Sequence, residues 1–227
     1  MRNRLKIIII LLIVVVLAGG TYTVILQLNS KNYNQNNTFH FTIDWEKTFG
    51  GNQQDQGWFV SSTSDGGCIL TGYTESYGKG NKDIWVIKVD ENGDEQWNET
   101  YGLEGEETAK IIKQTPDSGY MIAGTSASFS NGGYNKDIWL IKVDGNGDEQ
   151  WNKTYGGLRT EEANSILSTS DNGYLIVGST SSFGSYKYDT DLWLIKVNQT
   201  GEEQWNYTIG GKGYDAVSYT HLRAHET

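Results

Sequence analysis

Proline is nearly missing from this chain, with Pro116 alone among 227 residues. Cysteine also occurs once, at Cys68, and no histidine stands between Phe41 and Thr220. A single cysteine excludes an intrachain disulfide and leaves the redox compartment unspecified. The missing histidines remove His-dependent nucleophilic triads from the body of the chain. Positive charge is scarce too: the net charge of −10 becomes −13 once Arg2, Arg4 and Lys6 are set aside. So acidic a body repels phosphate backbones, which excludes nucleic acid as a natural partner. Glycine (28 residues) and aromatics (12%) are abundant, and 37% hydrophobic content allows a real core. Many short strands separated by glycine turns fit that balance better than helices do.

The pattern within the chain is a repeat. The stretch DIWVIKVDENGDEQWNET (Asp83–Thr100) returns as DIWLIKVDGNGDEQWNKT (Asp137–Thr154) and as DLWLIKVNQTGEEQWNYT (Asp191–Thr208). The tryptophan pairs Trp85/Trp97, Trp139/Trp151 and Trp193/Trp205 recur every 54 residues. A fixed period of that size means one supersecondary unit stacked repeatedly. Each unit predicts four strands, a to d: in the second repeat these are Thr108–Thr115, Tyr120–Thr125, Asp137–Asp144 and Glu149–Tyr155. Asp-x-Gly (Asp65-Gly66-Gly67, Asp117-Ser118-Gly119, Asp171-Asn172-Gly173) marks the a–b turn, with the glycine expected to supply the positive φ. Asn92-Gly93, Asn146-Gly147 and Thr200-Gly201 mark the c–d turn. In strand c, Trp139, Ile141 and Val143 face one side and Ile138 and Leu140 the other. A hairpin sheet that is apolar on both faces must be covered on both, and neighbouring repeats are the available cover. The expected fold is therefore all-β: a propeller of four-stranded antiparallel blades, with three full blades (about 51–103, 104–157 and 158–211) plus fragments within 42–216.

The two ends read differently. Met1–Lys6 is basic and Ile7–Ala18 is an unbroken apolar run. Residues 1–28 are thus expected to be a signal peptide, or a membrane anchor if Thr21–Leu28 extends the run into a spanning helix. Either way the repeats would lie outside the cytoplasm, secreted or anchored to the outer face of the membrane. Residues 29–41 read as a polar tether. Thr42–Gly50 matches a fourth strand and would close a ring by joining the last blade. Residues 217–227 (VSYTHLRAHET) match no repeat and resemble translated sequencing-adapter DNA, so they read as a non-native tail on a truncated propeller. His221 and His225 are accordingly not read as a metal site.

Candidate sites are few. One acid stands ten residues after each fourth-strand tryptophan: Asp55, Glu107, Glu161 and Asp215. These either ring the mouth of a channel or accept backbone N–H groups where a blade begins. Asp83, Asp137 and Asp191 read the same way. Asp90-x-Asn92-x-Asp94 and Asp144-x-Asn146-x-Asp148 lack the glycine and glutamate positions of a calcium loop, and a hairpin turn accounts for them better. Asn36, Asn98, Asn152, Asn198 and Asn206 stand in Asn-x-Thr and are formal glycosylation acceptors outside the cell. Three of these occupy one repeat position, which duplication alone also explains. Cys68 takes the place of Tyr120 and Tyr174 and reads as a packed side chain. No carboxylate is expected to break the repeat as a grafted active site would. The b–c loops (GYTESYGKGNK, GTSASFSNGGYNK, GSTSSFGSYKYDT) do vary, on the face opposite the conserved turns. That variation points either to a ligand surface or to relaxed selection.

The stretches Asp171–Thr180, Ser182-Phe183-Gly184, Asp191–Val197, Gly201–Trp205 and Thr208–Gly211 carry a resemblance. They are similar to the tandem β-propeller repeats of exported and surface proteins of prokaryotes, across about Thr42–Ala216. A weaker likeness, in Val-Asp-x-Asn-Gly-x-x-x-Trp, links the chain to pyrroloquinoline-quinone-type propellers, where the motif ties blades together. No cofactor or calcium residues carry over from those. The resemblance implies a non-catalytic extracellular module for binding or scaffolding, with a protein or polysaccharide as surface partner and no cofactor or metal. The alternative is a fragment of a propeller-containing enzyme, quinoprotein dehydrogenase-like or carbohydrate-active.

Overall fold

The structure, a computed structural model, describes residues 8–16, 22–30, 45–129, 135–184 and 189–215. Its regular elements are all strands. Three sheets are four-stranded antiparallel meanders. The first blade is β4 (Asp55–Ser62), β5 (Cys68–Thr74), β6 (Asp83–Val89) and β7 (Glu95–Tyr101). The second is β8 (Glu107–Gln114), β9 (Tyr120–Ser126), β10 (Asp137–Val143) and β11 (Glu149–Tyr155). The third is β12 (Glu161–Ser168), β13 (Tyr174–Thr180), β14 (Asp191–Val197) and β15 (Glu203–Ile209). The third and fourth strands repeat at 54 residues throughout, while the first two strands of blades one and two are 52 apart, the two-residue difference falling in the loop between second and third strands. Successive blades pack face to face with their first strands β4, β8 and β12 side by side. This is the arrangement of an incomplete propeller, because no sheet closes on another.

The period-two pattern of the third strand divides the core as its sequence requires. Trp139, Ile141 and Val143 pack toward the first blade with Ile69, Ile84 and Val86. Ile138 and Leu140, on the other side of the same strand, pack toward the third blade with Ile176, Trp193 and Ile195. Each first strand carries a register break, at Gly57/Phe59, Ala109/Ile111 and Ala163/Ser165. Such a bulge bends the inner strand and re-aims one side chain per blade.

The a–b turns correct one expectation. The positive φ falls on the middle residue, Gly66 (87°), Ser118 (64°) or Asn172 (61°), rather than on the glycine that follows. The following glycine is kept for space, since a Cβ on Gly67, Gly119 or Gly173 would overlap the carbonyl of Val89, Val143 or Val197. In the c–d turns the positive φ does fall on Gly93 (77°), Gly147 (90°) and Gly201 (76°).

Those c–d glycines are also the seats on which the blades join. The indole of Trp97 lies over Gly147, where a Cβ would come within 3.0 Å of it, and Trp151 lies over Gly201 at 2.6 Å. Trp97 Nε1–H donates to the Gly145 carbonyl at 3.0 Å. Tyr101 donates its hydroxyl to the Gly147 carbonyl, and Tyr155 to the Gly201 carbonyl, each at 2.6 Å. Burial pushes both phenols well above their usual range, with the acids Glu99 beside Tyr101 and Glu202 beside Tyr155 adding to it. On the opposite face the chain is stitched again: Glu107 N–H donates to the Lys82 carbonyl and Glu161 N–H to the Lys136 carbonyl, both at 2.7 Å.

The N-terminal part differs from expectation. Residues 8–16 and 22–30, β1 (Ile8–Val16) and β2 (Tyr22–Ser30), form an antiparallel hairpin in register from Ile8/Ser30 to Val16/Tyr22. β3 (Trp45–Phe49) pairs with β2 rather than with the third blade. Where a spanning helix was one expectation, the structure places strands, and no helix among the described residues is long and apolar enough to cross a membrane. The run is rich in β-branched isoleucine and valine, which suit a pleated surface. β3 nonetheless sits on the first blade as a fourth strand should: Trp45 Nε1–H donates to the Glu91 carbonyl at 3.0 Å, and Lys47 pairs with Asp94 at 2.8 Å. The 31–41 part of the tether and residues 217–227 lie outside the described residues.

Trp205 is the fourth copy of the seated tryptophan, yet it is 40% exposed, beside Tyr207 and Ile209 at 63% and 54%. Trp151→Ala is therefore expected to cost about 3 kcal/mol, whereas Trp205→Ala should stay within about 0.5 kcal/mol. Urea unfolding of the two variants checks the difference.

Candidate functional site

Most polar side chains of the repeat are used to build it. The carboxylates of Asp55, Glu107 and Glu161 are fully buried. Glu107 accepts from Leu103 N–H (3.0 Å), Ser128 N–H (3.1 Å) and the Ser126 hydroxyl (2.8 Å). Glu161 accepts from Gly157 N–H (3.0 Å), Ser182 N–H (3.1 Å) and the Thr180 hydroxyl (2.8 Å). Asp55 accepts from Gly51 N–H (2.7 Å) and from the hydroxyls of Thr74 and Ser76. Each acid thus gathers the orphan donors where a blade begins. Asp215 repeats the bond to Gly211 N–H at 2.8 Å but stands exposed. Asp83 accepts from Lys79 and Gly80 N–H at 3.0 and 2.9 Å, and Asp137 and Asp191 are buried at the same position.

The glycosylation-type asparagines also have partners. Asn98, Asn152 and Asn206 accept from the indoles of Trp85, Trp139 and Trp193 at 3.3, 3.1 and 3.2 Å. Each donates its amide to Glu95, Glu149 or Glu203 at 2.6 Å. Asn198 caps its own turn, accepting from Thr200 and Glu202 N–H at 2.9 Å, as Asp90 does from Asn92 and Asp94 N–H at 2.8 and 2.9 Å. Asn36 lies outside the described residues. Cys68 is buried beside Leu70 and Trp85, and burial pushes its thiol up. Among the described residues, no three His, Cys, Asp or Glu side chains are placed to hold a metal ion.

One repeated pair escaped the sequence reading. Lys88, Lys142 and Lys196, in the third strands, are almost wholly buried. Their ammonium groups reach the turn aspartates Asp65, Asp117 and Asp171 at 2.8, 3.0 and 2.8 Å, and the carbonyls of Val89, Val143 and Val197. Lysine in an otherwise apolar strand was the available signal, since a buried ammonium requires a partner.

The junction of the first and second blades breaks the repeat, in contrast to the expectation that no carboxylate would. Glu75 and Glu106 take the places of Ala127 and Thr160, while Tyr73 takes that of Thr125 and Ser179. Lys136 pairs with Glu106 at 2.9 Å, and Lys82 with Glu75 at 3.9 Å. The hydrogen bond from Lys136 holds the Glu106 carboxyl below its usual range. Lys82 also sits over the Tyr73 ring, 4.8 Å from its centroid. Burial, then the charges of Glu75, Asp55 and Glu106, raise the Tyr73 phenol. Here a cleft of about 830 Å³ opens, lined by Asn81, Leu103, Glu106, Ser128 and Lys136 among others. It lies on the face of the b–c loops and the links between blades. A smaller hollow of about 340 Å³ between the second and third blades, lined by Asp117, Lys142, Trp151 and Asn172 among others, lies on the turn face. The loops keep fixed roots: Tyr77, Phe129 and Phe183 pack on Trp85, Trp139 and Trp193 at 5.5, 5.0 and 5.1 Å between ring centroids.

No family model matches the chain, and no curated protein does. The cleft sets the Lys136–Glu106 ion pair beside the apolar side chains of Leu103 and Ala127.

The lysine–aspartate pairs set an acid limit on stability. The hydrogen bonds from Lys88 and then Thr63 pull Asp65 down to about 2. With an unfolded value of about 3.9, this pair contributes fully above about pH 4 and is lost as pH falls toward 2. Asp171 moves in the same direction, chiefly through its bond from Lys196. Asp65→Asn is expected to cost about 1 kcal/mol at pH 7, the half-exposed carboxylate being screened by solvent, and to flatten the loss between pH 4 and 2. Thermal midpoints measured across that range check both.

Proposed function

We propose that this chain is a non-catalytic extracellular β-propeller repeat module that binds or scaffolds at the cell surface, through the face carrying its b–c loops and blade links. The observation that carries this reading is the break in repeat symmetry around the cleft between the first and second blades. The buried acids Asp55, Glu107 and Glu161 and the buried lysines Lys88, Lys142 and Lys196 recur with the same kinds of partner in each blade. Glu75 and Glu106 do not recur: each supplies a carboxylate, absent at its position in the other blades, to one of the two equivalent lysines Lys82 and Lys136. A site grafted on a regular scaffold departs from the local pattern in this way. The exported context rests on the basic Met1–Lys6 and apolar Ile7–Ala18, and on the likeness of the repeats to those of exported and surface proteins. The surface partner is a protein or a polysaccharide.

The test is retention of the purified full chain on intact cell envelopes. The pair Glu106→Ala/Lys136→Ala on the loop face is expected to lower retention at least about fivefold, the effect of losing roughly 1 kcal/mol of contact. The pair Asn92→Ala/Asn146→Ala on the turn face should leave it unchanged. Equal effects from both pairs would count against the reading.

A further inference from the structure

We infer that Trp58, braced by Gln56 and Tyr73, is a platform for a neutral sugar ring, so that the surface ligand is a glycan. This inference rests on the surface-binding reading above and narrows its partner. Trp58 stands at the register break of the innermost strand, in the position held by Lys110 and Asn164 in the next two blades. It is 41% exposed although large and apolar. Its orientation is nonetheless fixed. The indole N–H donates to Gln56 Oε1 at 2.9 Å, and the ring meets Tyr73 edge to face, with centroids 5.3 Å apart and planes at 73°. Tyr73 is itself 3% exposed, which makes it a rigid backing. An aromatic ring held in place before the ligand arrives loses little entropy on binding.

The charges nearby argue for a neutral ligand. Lys110 pairs with Glu162 at 2.9 Å, and Lys82 and Lys136 are paired with Glu75 and Glu106. Each nearby lysine already has a carboxylate partner, and the acids Glu75, Asp55 and Glu106 around Tyr73 disfavour an anionic ligand. The Tyr73 ring already takes Lys82, so the nearest cation site is filled from within. What is left is an apolar ring face bordered by amide, ammonium and carboxylate groups. That combination suits a polyhydroxylated ring with a C–H face.

The experiment is affinity electrophoresis of the full chain in gels containing dextran, mannan, galactan or a soluble β-glucan. At least one of these is expected to retard it. Trp58→Ala should weaken that retardation about tenfold while Trp58→Phe keeps most of it, as loss and retention of a stacking face require. Trp205→Ala, an equally exposed tryptophan elsewhere, should change nothing, and circular dichroism melts confirm that each variant is folded. Absence of retardation by every neutral polysaccharide overturns the inference, as does retardation by anionic polysaccharides alone or an undiminished response from folded Trp58→Ala. If Glu106→Ala/Lys136→Ala abolishes retention on cell envelopes while Trp58→Ala does not, the sugar platform fails and the loop-face reading stands. If neither change alters retention, both fail.

Discussion

An indole lying on a glycine turn is the contact on which this molecule depends. A four-stranded sheet with two apolar faces cannot stand alone in water, and each blade must therefore be fixed to the next at a definite height and angle. Burial of isoleucine and valine supplies the drive but little direction, because apolar packing is not directional. Direction comes from Trp45, Trp97 and Trp151, each lying over the next blade's Gly93, Gly147 or Gly201. The indole N–H of Trp45 and Trp97, and the hydroxyls of Tyr101 and Tyr155, add hydrogen bonds to main-chain carbonyls at those turns. The glycine serves twice: it permits the positive φ of the turn and leaves room for the ring. The stitching on the other face, through Glu107 and Glu161 N–H, depends on the blades already having this spacing.

Much of this was legible in the sequence because it repeats. A 54-residue period exposes turn chemistry, strand count and the two-faced third strand in triplicate, so chance resemblances cancel. Three features escaped for different physical reasons. The buried lysines are invisible to an apolar pattern because their partner stands 23 or 25 residues earlier, in a turn whose aspartate already has a local role. In the Asp-x-Gly turn, left-handed geometry is affordable to serine and asparagine, so the glycine's purpose is contact with the neighbouring strand and shows only in three dimensions. The N-terminal apolar run satisfies helix and strand patterns equally, and periodicity cannot separate them.

The candidate site was least legible, because reading a repeat means attending to what its copies share. Trp58, Tyr73, Glu75 and Glu106 are the residues that a consensus discards. The same comparison of columns that located the strands also isolates them once departures are sought in place of agreement. Buried acids, turn aspartates and strand asparagines recur with the same partners from blade to blade. Departures from the repeat gather instead on the loop face at the first junction, where Tyr73, Glu75 and Glu106 differ from their counterparts.

The central claim is that the tryptophan seat on glycine orders the blades, and a double-mutant cycle between Trp97→Phe and Gly147→Ala tests it most directly. The added methyl of Gly147→Ala would come within 3.0 Å of the Trp97 ring. A smaller ring should relieve part of that conflict. The two substitutions are therefore predicted to couple by about 1 kcal/mol or more, as residues in contact do. Additivity within about 0.5 kcal/mol would mean that the two act independently, and would contradict the seat as the joint between blades.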